Sequence, residues 1–389
     1  MEVDRATEIA SHLMTAFARR TGLAPPSASP QRYLWTDAFA VCNFLELTRR
    51  YNGAEALTQA RALIDHVHHV LGRFRNDDPR RGWLGGRSKA EGEGHPTAAG
   101  LRIGKPLPER GAREAIDERL EWDRDGQYFH YLTKWMHALC QAACFTGETR
   151  YAQWAAELGK AAYDGFARRS ASGTVIGVSW KMSTDLSRAL VPGMGLHDAL
   201  DGAISLREAE HALAGLRAPA AGLEASAASL GALCVGHDWT TDDTLGLGGL
   251  LFDAGRLCQL GNAADEADLL EDLLTSCAHD LSGLLAGGQL SRPLAHRLAF
   301  RELGLAIGLR ALPLMADAVS RALPSRPSLG RALDLLRRTQ PLADEIVADW
   351  LPQAGQSDAS WRAHRDINEV MLASALIPDT VLAVGKPAS

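Results

Sequence analysis

The chain has 389 residues, enough for one large domain or two ordinary ones with a core that needs no metal or disulfide staple. Hydrophobic residues make up 46% and charged residues 23%, which excludes a disordered or fibrous chain. Its 47 acidic and 41 basic residues give a net charge of −6, so the whole molecule carries no nucleic-acid signature.

The N-terminal MEVDRATEIASHLMTAFARR reads as an amphipathic helix over 4–20, with Ile9, Leu13, Met14 and Phe17 on one stripe. It lacks the basic-then-apolar order of a secretion signal. Apolar residues then recur every three or four positions in stretches rich in Ala, Leu, Glu and Arg. They predict helices over 35–51, 54–73, 127–146, 148–167, 205–215, 223–235, 242–260, 263–284, 294–321, 327–337, 341–351 and 361–378. Strand signal is confined to a short run near Thr174–Trp180. No run of about 18 uncharged apolar residues occurs, so no membrane-spanning helix is expected. The six cysteines are dispersed through apolar helical stretches, which predicts reduced structural thiols in a cytoplasmic protein.

A helix–turn–helix unit recurs. It is seen in AFAVCNFLELTRRYNGAEALTQARALIDHV, in FHYLTKWMHALCQAACFTGETRYAQWAAELGKAA and in LGLGGLLFDAGRLCQLGNAADEADLLEDLLTSCAHD. Gly53, Gly147 and Gly261 mark the turns. Each first helix is apolar over most of its surface and each second has a polar face, the pattern of an inner and an outer helix. Hairpins stacked in this way predict an all-α (α/α)6 toroid as a single domain over 1–389. An open helical-repeat scaffold is the plainer alternative.

Two long loops interrupt the helices, at 75–125 and 168–204. Loops of that length are commonly functional, and both contain Trp, Asp, His and Arg, as a pocket lining would. In the first loop, Trp83, Leu101, Ile103 and Trp122 predict packed flanks around a mobile GRSKAEGEGHP centre. Six of the nine Trp fall between Trp35 and Trp180, which locates function chiefly between residues 32 and 201.

RYLWTDAF places Arg32, Trp35 and Asp37 at the start of an inner helix. Asp37 either caps that helix or offers a carboxylate at a pocket mouth beside a Trp35 stacking wall. Glu46, in an apolar segment, is expected to pair with Arg49 or Arg50. DERLEWDRDGQYFHYLTKW supplies Glu121, Trp122, Asp123, Asp125, Tyr128, His130 and Lys134. His130, Lys134 and His137 share one helix face, a costly polar stripe unless it meets a ligand or satisfies itself as a network. WKMSTDLSR adds Trp180, Lys181 and Asp185, and GMGLHDALDG adds His197, Asp198 and Asp201 in a Gly-flanked turn. The HDxxD spacing leaves a divalent cation open, as three potential ligands without a fourth. GHDWTTDDT repeats acids and Trp before an inner helix and includes His237. Repeated helix capping would produce part of the same pattern. The Asp-rich NDDPRR and WTTDDT invite a diphosphate–magnesium reading without forming a metal motif. GLGGLLFDAG lacks the preceding strand of a nucleotide loop, and no cofactor is expected.

Stacking rings, carboxylates and excess Arg suit a small sugar or other hydroxyl-rich ligand, anionic or neutral, with neither nucleic acid nor membrane as partner. Glycoside hydrolysis needs one carboxylic acid and one carboxylate. Asp37 and either Asp123 or Asp198 are the candidates, with His130 and His197 as further acid–base groups. Arg32, Trp35, Glu121, Trp122, Asp125, Tyr128, Lys134, Trp180, Lys181, Asp185, Asp201 and His237 are the candidate substrate contacts. The hairpin repeat, with RYLWTDAF and DGQYFHYLTKW at inner-helix starts, resembles the six-hairpin glycosidase-like superfamily. That superfamily of (α/α)6 toroids includes unsaturated glucuronyl hydrolases and acylglucosamine 2-epimerase-like proteins. The resemblance implies acids at the barrel mouth, with Asp37 the nearest positional analogue, or paired histidines in an epimerase. A glycoside hydrolase is therefore the first expectation, a sugar epimerase or isomerase the second, and a noncatalytic helical binding or scaffold protein the third. Oligomeric state is not legible.

Overall fold

The structure, a computed structural model, describes residues 3–195, 197–261, 266–322, 326–352 and 359–385. The chain is 65% helix and 5% strand, which makes the fold all-α. Its internal contacts divide it into two units, Ala18–Cys234 with Gly385–Ser389, and Met1–Phe17 with Val235–Val384. Helix α1 (Val3–Arg20) runs across the boundary between Phe17 and Ala18.

The unit Ala18–Cys234 contains α2 (Leu34–Tyr51), α3 (Ala54–Leu71), α4 (Lys89–Gly94), α5 (Glu118–Glu121), α6 (Phe129–Thr146), α7 (Thr149–Phe166), α8 (Asp198–Gly215) and α9 (Glu224–Gly231). The strands are β1 (Gln127–Tyr128), β2 (Ala167–Arg169), β3 (Val175–Val178) and β4 (Lys181–Met182). They form two antiparallel pairs, β1 with β4 and β2 with β3. Inner and outer helices differ as the sequence predicts. Every residue of α2 from Leu34 to Thr48 is buried, as expected of a mainly apolar helix enclosed by its neighbours, and its buried acids Asp37 and Glu46 are paired with arginines. Its partner α3 buries one stripe, Ala60, Leu63, Ile64, Val67, His68 and Leu71, at the three-and-four spacing of a half-wet helix. The α6–α7 hairpin repeats this arrangement, with Gly147 taking the left-handed conformation (φ 73°) that ends α6. Helix α6 is the hub and packs on α2, α7 and α8.

Three expectations are corrected within this unit. The 168–204 segment is not a loop throughout: it carries β2, β3 and β4, and α8 starts at Asp198 rather than at residue 205. His197, Asp198 and Asp201 therefore stand at the entry and in the first turn of an inner helix, not in a turn. The centre of the 75–125 segment forms α4, held by a capping box in which Ser88 accepts from the Glu91 N–H. Of its flanking residues Trp83, Leu101 and Ile103 are buried, but Trp122 is 55% exposed.

The unit Met1–Phe17 with Val235–Val384 contains α10 (Thr244–Leu260), α11 (Ala267–Ala286), α12 (Ala299–Leu309), α13 (Leu312–Ala322), α14 (Pro327–Thr339), α15 (Leu342–Trp350), α16 (Ala359–Ala363), α17 (Arg365–Leu376) and α18 (Asp379–Leu382). Here α10 packs on α11, α12 and α13. Asp243 caps α10 by accepting from the Leu245 and Gly246 N–H groups at 3.3 and 3.1 Å, so the third acid-rich helix start is a cap. The 294–321 and 361–378 segments, each read as one helix, are both broken in two, the first between Leu309 and Leu312. Ala299–Arg321 has the length and hydropathy of a membrane span among the described residues, but 67% of its apolar window is buried inside the protein. Its two helices have 11 residues each, about half of what a bilayer core requires. All six cysteines are free and buried. The 263–284 reading and the chain end fall partly on residues outside the described set.

Candidate functional site

Helices α6 and α8 face each other with polar side chains. His130, Lys134, His137 and Gln141 on α6 meet Asp198, Asp201, Ser205 and Glu208 on α8. At the inner end, Glu208 accepts from His137 Nδ1 (2.8 Å) and Gln141 Nε2 (3.2 Å). In the middle, Asp201 Oδ2 accepts from Lys134 Nζ (2.8 Å) and Thr133 Oγ1 (2.6 Å), while Ser205 Oγ donates to Oδ1 (3.3 Å). Lys134, Asp201, Ser205 and Glu208 are all buried, and the opposite charges make that burial tolerable.

The outer pair is different. His130 Nδ1 lies 3.8 Å from Asp198 Oδ1, beyond hydrogen-bond length. Asp198 is 6% exposed, and among the described residues its Oδ2 has no hydrogen-bond partner. Burial, then the nearby Asp201 charge, pushes the Asp198 carboxyl up to about 8 against the opposing pull of Lys134. The α8 dipole also favours the ionised form. However, a helix terminus is worth about 0.3–1 kcal/mol, less than the 1.4 kcal/mol of one pH unit, so desolvation wins. Burial likewise holds the His130 imidazole down at about 4, with Asp201 opposing. At neutral pH the outer pair is thus a protonated acid beside an unprotonated imidazole, and the His130 side chain is still 28% exposed. Gly195 makes this approach possible: a Cβ there would stand 1.8 Å from Asp198 Oδ2.

A wall of rings surrounds His130. The β1–β4 pairing sets Tyr128 opposite Lys181 and brings the neighbouring Trp180 onto the Tyr128 face, stacked at 5.1 Å. Tyr128 also stacks on His130 at 5.5 Å, and Trp35 meets His130 and Tyr131 edge-on or tilted at 6.0 and 5.4 Å. Tyr33 reaches the same wall through a 2.6 Å hydroxyl contact with Tyr131. Among the described residues the buried Tyr128 hydroxyl and Trp35 indole nitrogen have no hydrogen-bond partners. Burial also pushes the Tyr128 phenol up, so it remains a donor. Trp122 closes the outer end, edge-on to Trp180 at 5.1 Å.

No protein-family model matches the chain, and no curated protein matches it.

The remaining predicted residues fall into distinct places. Asp37 is 1% exposed; it accepts from the Tyr33 N–H (3.0 Å) and from Arg32 (3.3 Å), which fixes the start of α2 and so the position of Trp35. Asp123 is exposed and its backbone carbonyl accepts from the Leu107 N–H at 3.0 Å. Asp125 accepts from Arg102 and from the Gly104 N–H (3.0 Å), anchoring the 102–105 stretch. Glu121 pairs with Arg110 (3.2 Å) and with Lys181 (3.1 Å), whose Nζ lies 5.4 Å from the centre of the Tyr128 ring. Asp185 closes its own turn through Ser183 and Ser187 (both 2.7 Å) and reaches Arg80. His197 is the half-buried N-cap residue of α8. His237 belongs to the other unit, where it packs edge-on to Trp239 at 4.5 Å. Glu46, fully buried, pairs with Arg49 and Arg50 as expected from its apolar setting. Among the described residues no three His, Cys, Asp or Glu side chains gather as a metal ion requires, and this covers HDxxD.

Tyr33, Ser205 and Glu208 are not among the residues that the sequence pattern points to. The signal for the last two is present: Asp198, Asp201, Ser205 and Glu208 step by three, four and three along one face, as His130, Lys134, His137 and Gln141 step by four, three and four along another.

Proposed function

We propose that the chain is a carbohydrate-active enzyme, first of all a glycoside hydrolase, with Asp198 as its general acid. The observation that carries this reading is the buried Asp198 carboxyl, which burial pushes up to about 8 and whose Oδ2 has no hydrogen-bond partner among the described residues, close to rings that suit a sugar face. A carboxylic acid held protonated near pH 7 can deliver a proton to a leaving glycosidic oxygen. Asp201, three residues along the same helix face, supplies the second carboxyl, held in place by Lys134 and the Thr133 and Ser205 hydroxyls. Asp37 acts as a positioning residue for Trp35 rather than as an acid.

A second reading, a sugar epimerase or isomerase, is favoured by one observation. His130 is unprotonated at neutral pH, partly exposed and 3.8 Å from Asp198, so the two form a base and an acid on one side of a ligand. The hairpins of inner and outer helices support the (α/α)6 toroid of the six-hairpin superfamily as the architecture, with a small hydroxyl-rich ligand at the outer end of α6 and α8.

Hydrolysis and epimerisation assays on a panel of neutral and uronic-acid sugars, with parent and Asp198→Asn, test the proposal. Glycoside cleavage lost in the variant supports the first reading. Epimerisation lost in both Asp198→Asn and His130→Gln supports the second. Turnover unchanged by Asp198→Asn removes both.

A further inference from the structure

A cavity in the same unit lies apart from Asp198 and His130 in its lining residues. It measures about 820 Å³ and its lining carries Arg32, Arg73, Arg75, Arg81, Arg102 and Lys105 against a single acid, Asp77. Three of the cations are structurally committed. Arg32 pairs with Asp37, Arg75 with Asp77, and Arg102 with Asp125. The other three have no such neutralisation: among the described residues no carboxylate lies within ion-pair distance of Arg73, Arg81 or Lys105. Arg73 rests over the Trp83 ring at 5.6 Å and Lys105 over Tyr33 at 5.3 Å, while Arg81 donates only to the Arg80 carbonyl at 3.0 Å. Arg32 adds a buried Nε that has no hydrogen-bond partner among the described residues.

Clustered cations without counter-charges repel one another and raise the local concentration of anions. Their placement is enforced by the backbone. At Gly104 (φ 93°) a Cβ would stand 2.2 Å from the Arg32 carbonyl, so only glycine lets the Arg102–Lys105 stretch lie against Arg32. Asp125 then clamps that stretch by accepting from the Gly104 N–H and from Arg102. The volume lies in the range of ligand pockets and exceeds what one inorganic anion fills. Val70, Leu71 and Phe74 supply apolar lining beside the charges.

We infer that this cavity binds a small phosphorylated organic molecule, its phosphate held by Arg73, Arg81 and Lys105 and its body by the Val70–Phe74 wall. Arg offers paired donors that match phosphate oxygens, and three cations without an ion-pair partner among the described residues match the two or more charges of a phosphate ester or diphosphate. The inference is independent of the Asp198 chemistry.

The test is calorimetric titration of the full chain with inorganic pyrophosphate, inorganic phosphate and sodium chloride at matched ionic strength. One saturable pyrophosphate site per chain is expected, weakened at least tenfold in the Arg73→Gln, Lys105→Gln double variant. Lys89→Gln, outside the cavity, should bind as the parent does. If the double variant does not fold, the exposed Arg81→Gln gives the same comparison, with a smaller expected loss. A melting temperature raised by pyrophosphate in the parent and not in the variant also supports the site. A pyrophosphate response no larger than that to sodium chloride, or equal affinity in parent and variants, would overturn it.

Discussion

Replacing Asp198 by Asn should make stability less sensitive to alkali, with the sign set by its environment. In the folded chain burial raises this carboxyl to about 8, while its ordinary value is 3.8. Between those limits the unfolded state has released the proton and the folded state retains it. The contribution of Asp198 is therefore fully present below pH 4 and is lost as pH rises towards 8. One retained proton corresponds to about 1.4 kcal/mol of stability lost per pH unit. From pH 5.5 to 7.5 the parent should lose about 3 kcal/mol relative to Asp198→Asn, which cannot titrate. The amide also introduces a buried donor, but that cost of about 1–3 kcal/mol is the same at every pH. The slope carries the information and the offset does not. Urea unfolding of both proteins at half-unit steps from pH 5 to 8 measures it. Parallel stability profiles would refute the protonated, desolvated Asp198 on which the general-acid assignment depends.

His130 should act in the opposite direction: burial lowers it to about 4, so its contribution is present above pH 6.5 and lost as pH falls towards 4. His130→Gln should then flatten the acid side of the urea profile between pH 4.5 and 6.5, and an unchanged profile would count against the desolvated imidazole. Glu208→Ala strips the buried His137 and Gln141 of their acceptor and should cost about 3–5 kcal/mol, lowering the melting temperature on the order of 10 °C. Gly100→Ala places a Cβ 1.9 Å from Gln127 Oε1 at φ 79°; a loss of about 1–3 kcal/mol is expected in the urea midpoint, and a neutral result would show that the loop relaxes.

The hairpins were legible because α3 and α7 keep one wet face while α2, α6 and α10 do not, and that contrast is written in apolar spacing. The beginning of α8 was not. Gly193, Gly195 and Gly202 flank short polar residues there, and a helix that buries its acids against another helix shows no amphipathic stripe. Asp37 could not be resolved either, since a carboxylate in a first helical turn reads equally as an anchor or a catalyst. His130, Asp198, Trp35, Tyr128 and Trp180 were identified individually, but their convergence depends on the β1–β4 pairing of residues more than 50 apart. The cationic cavity has no sequence signature because its cations arrive from three separate stretches, around residues 32, 73–81 and 102–105.

The three rungs between α6 and α8 also govern how those helices can be aligned. His130 meets Asp198, Lys134 meets Asp201 and His137 meets Glu208, so the partners ascend together and the helices run in the same direction. Two greasy helices could slide by one turn, about 5.4 Å, with little loss of contact. Here such a slip would carry Lys134 from Asp201 towards Ser205 and leave buried charges unmatched. The rungs act as a key for register, and a chain with Lys134 and Asp201 both replaced by apolar residues could stay folded while its outer pair drifted out of line.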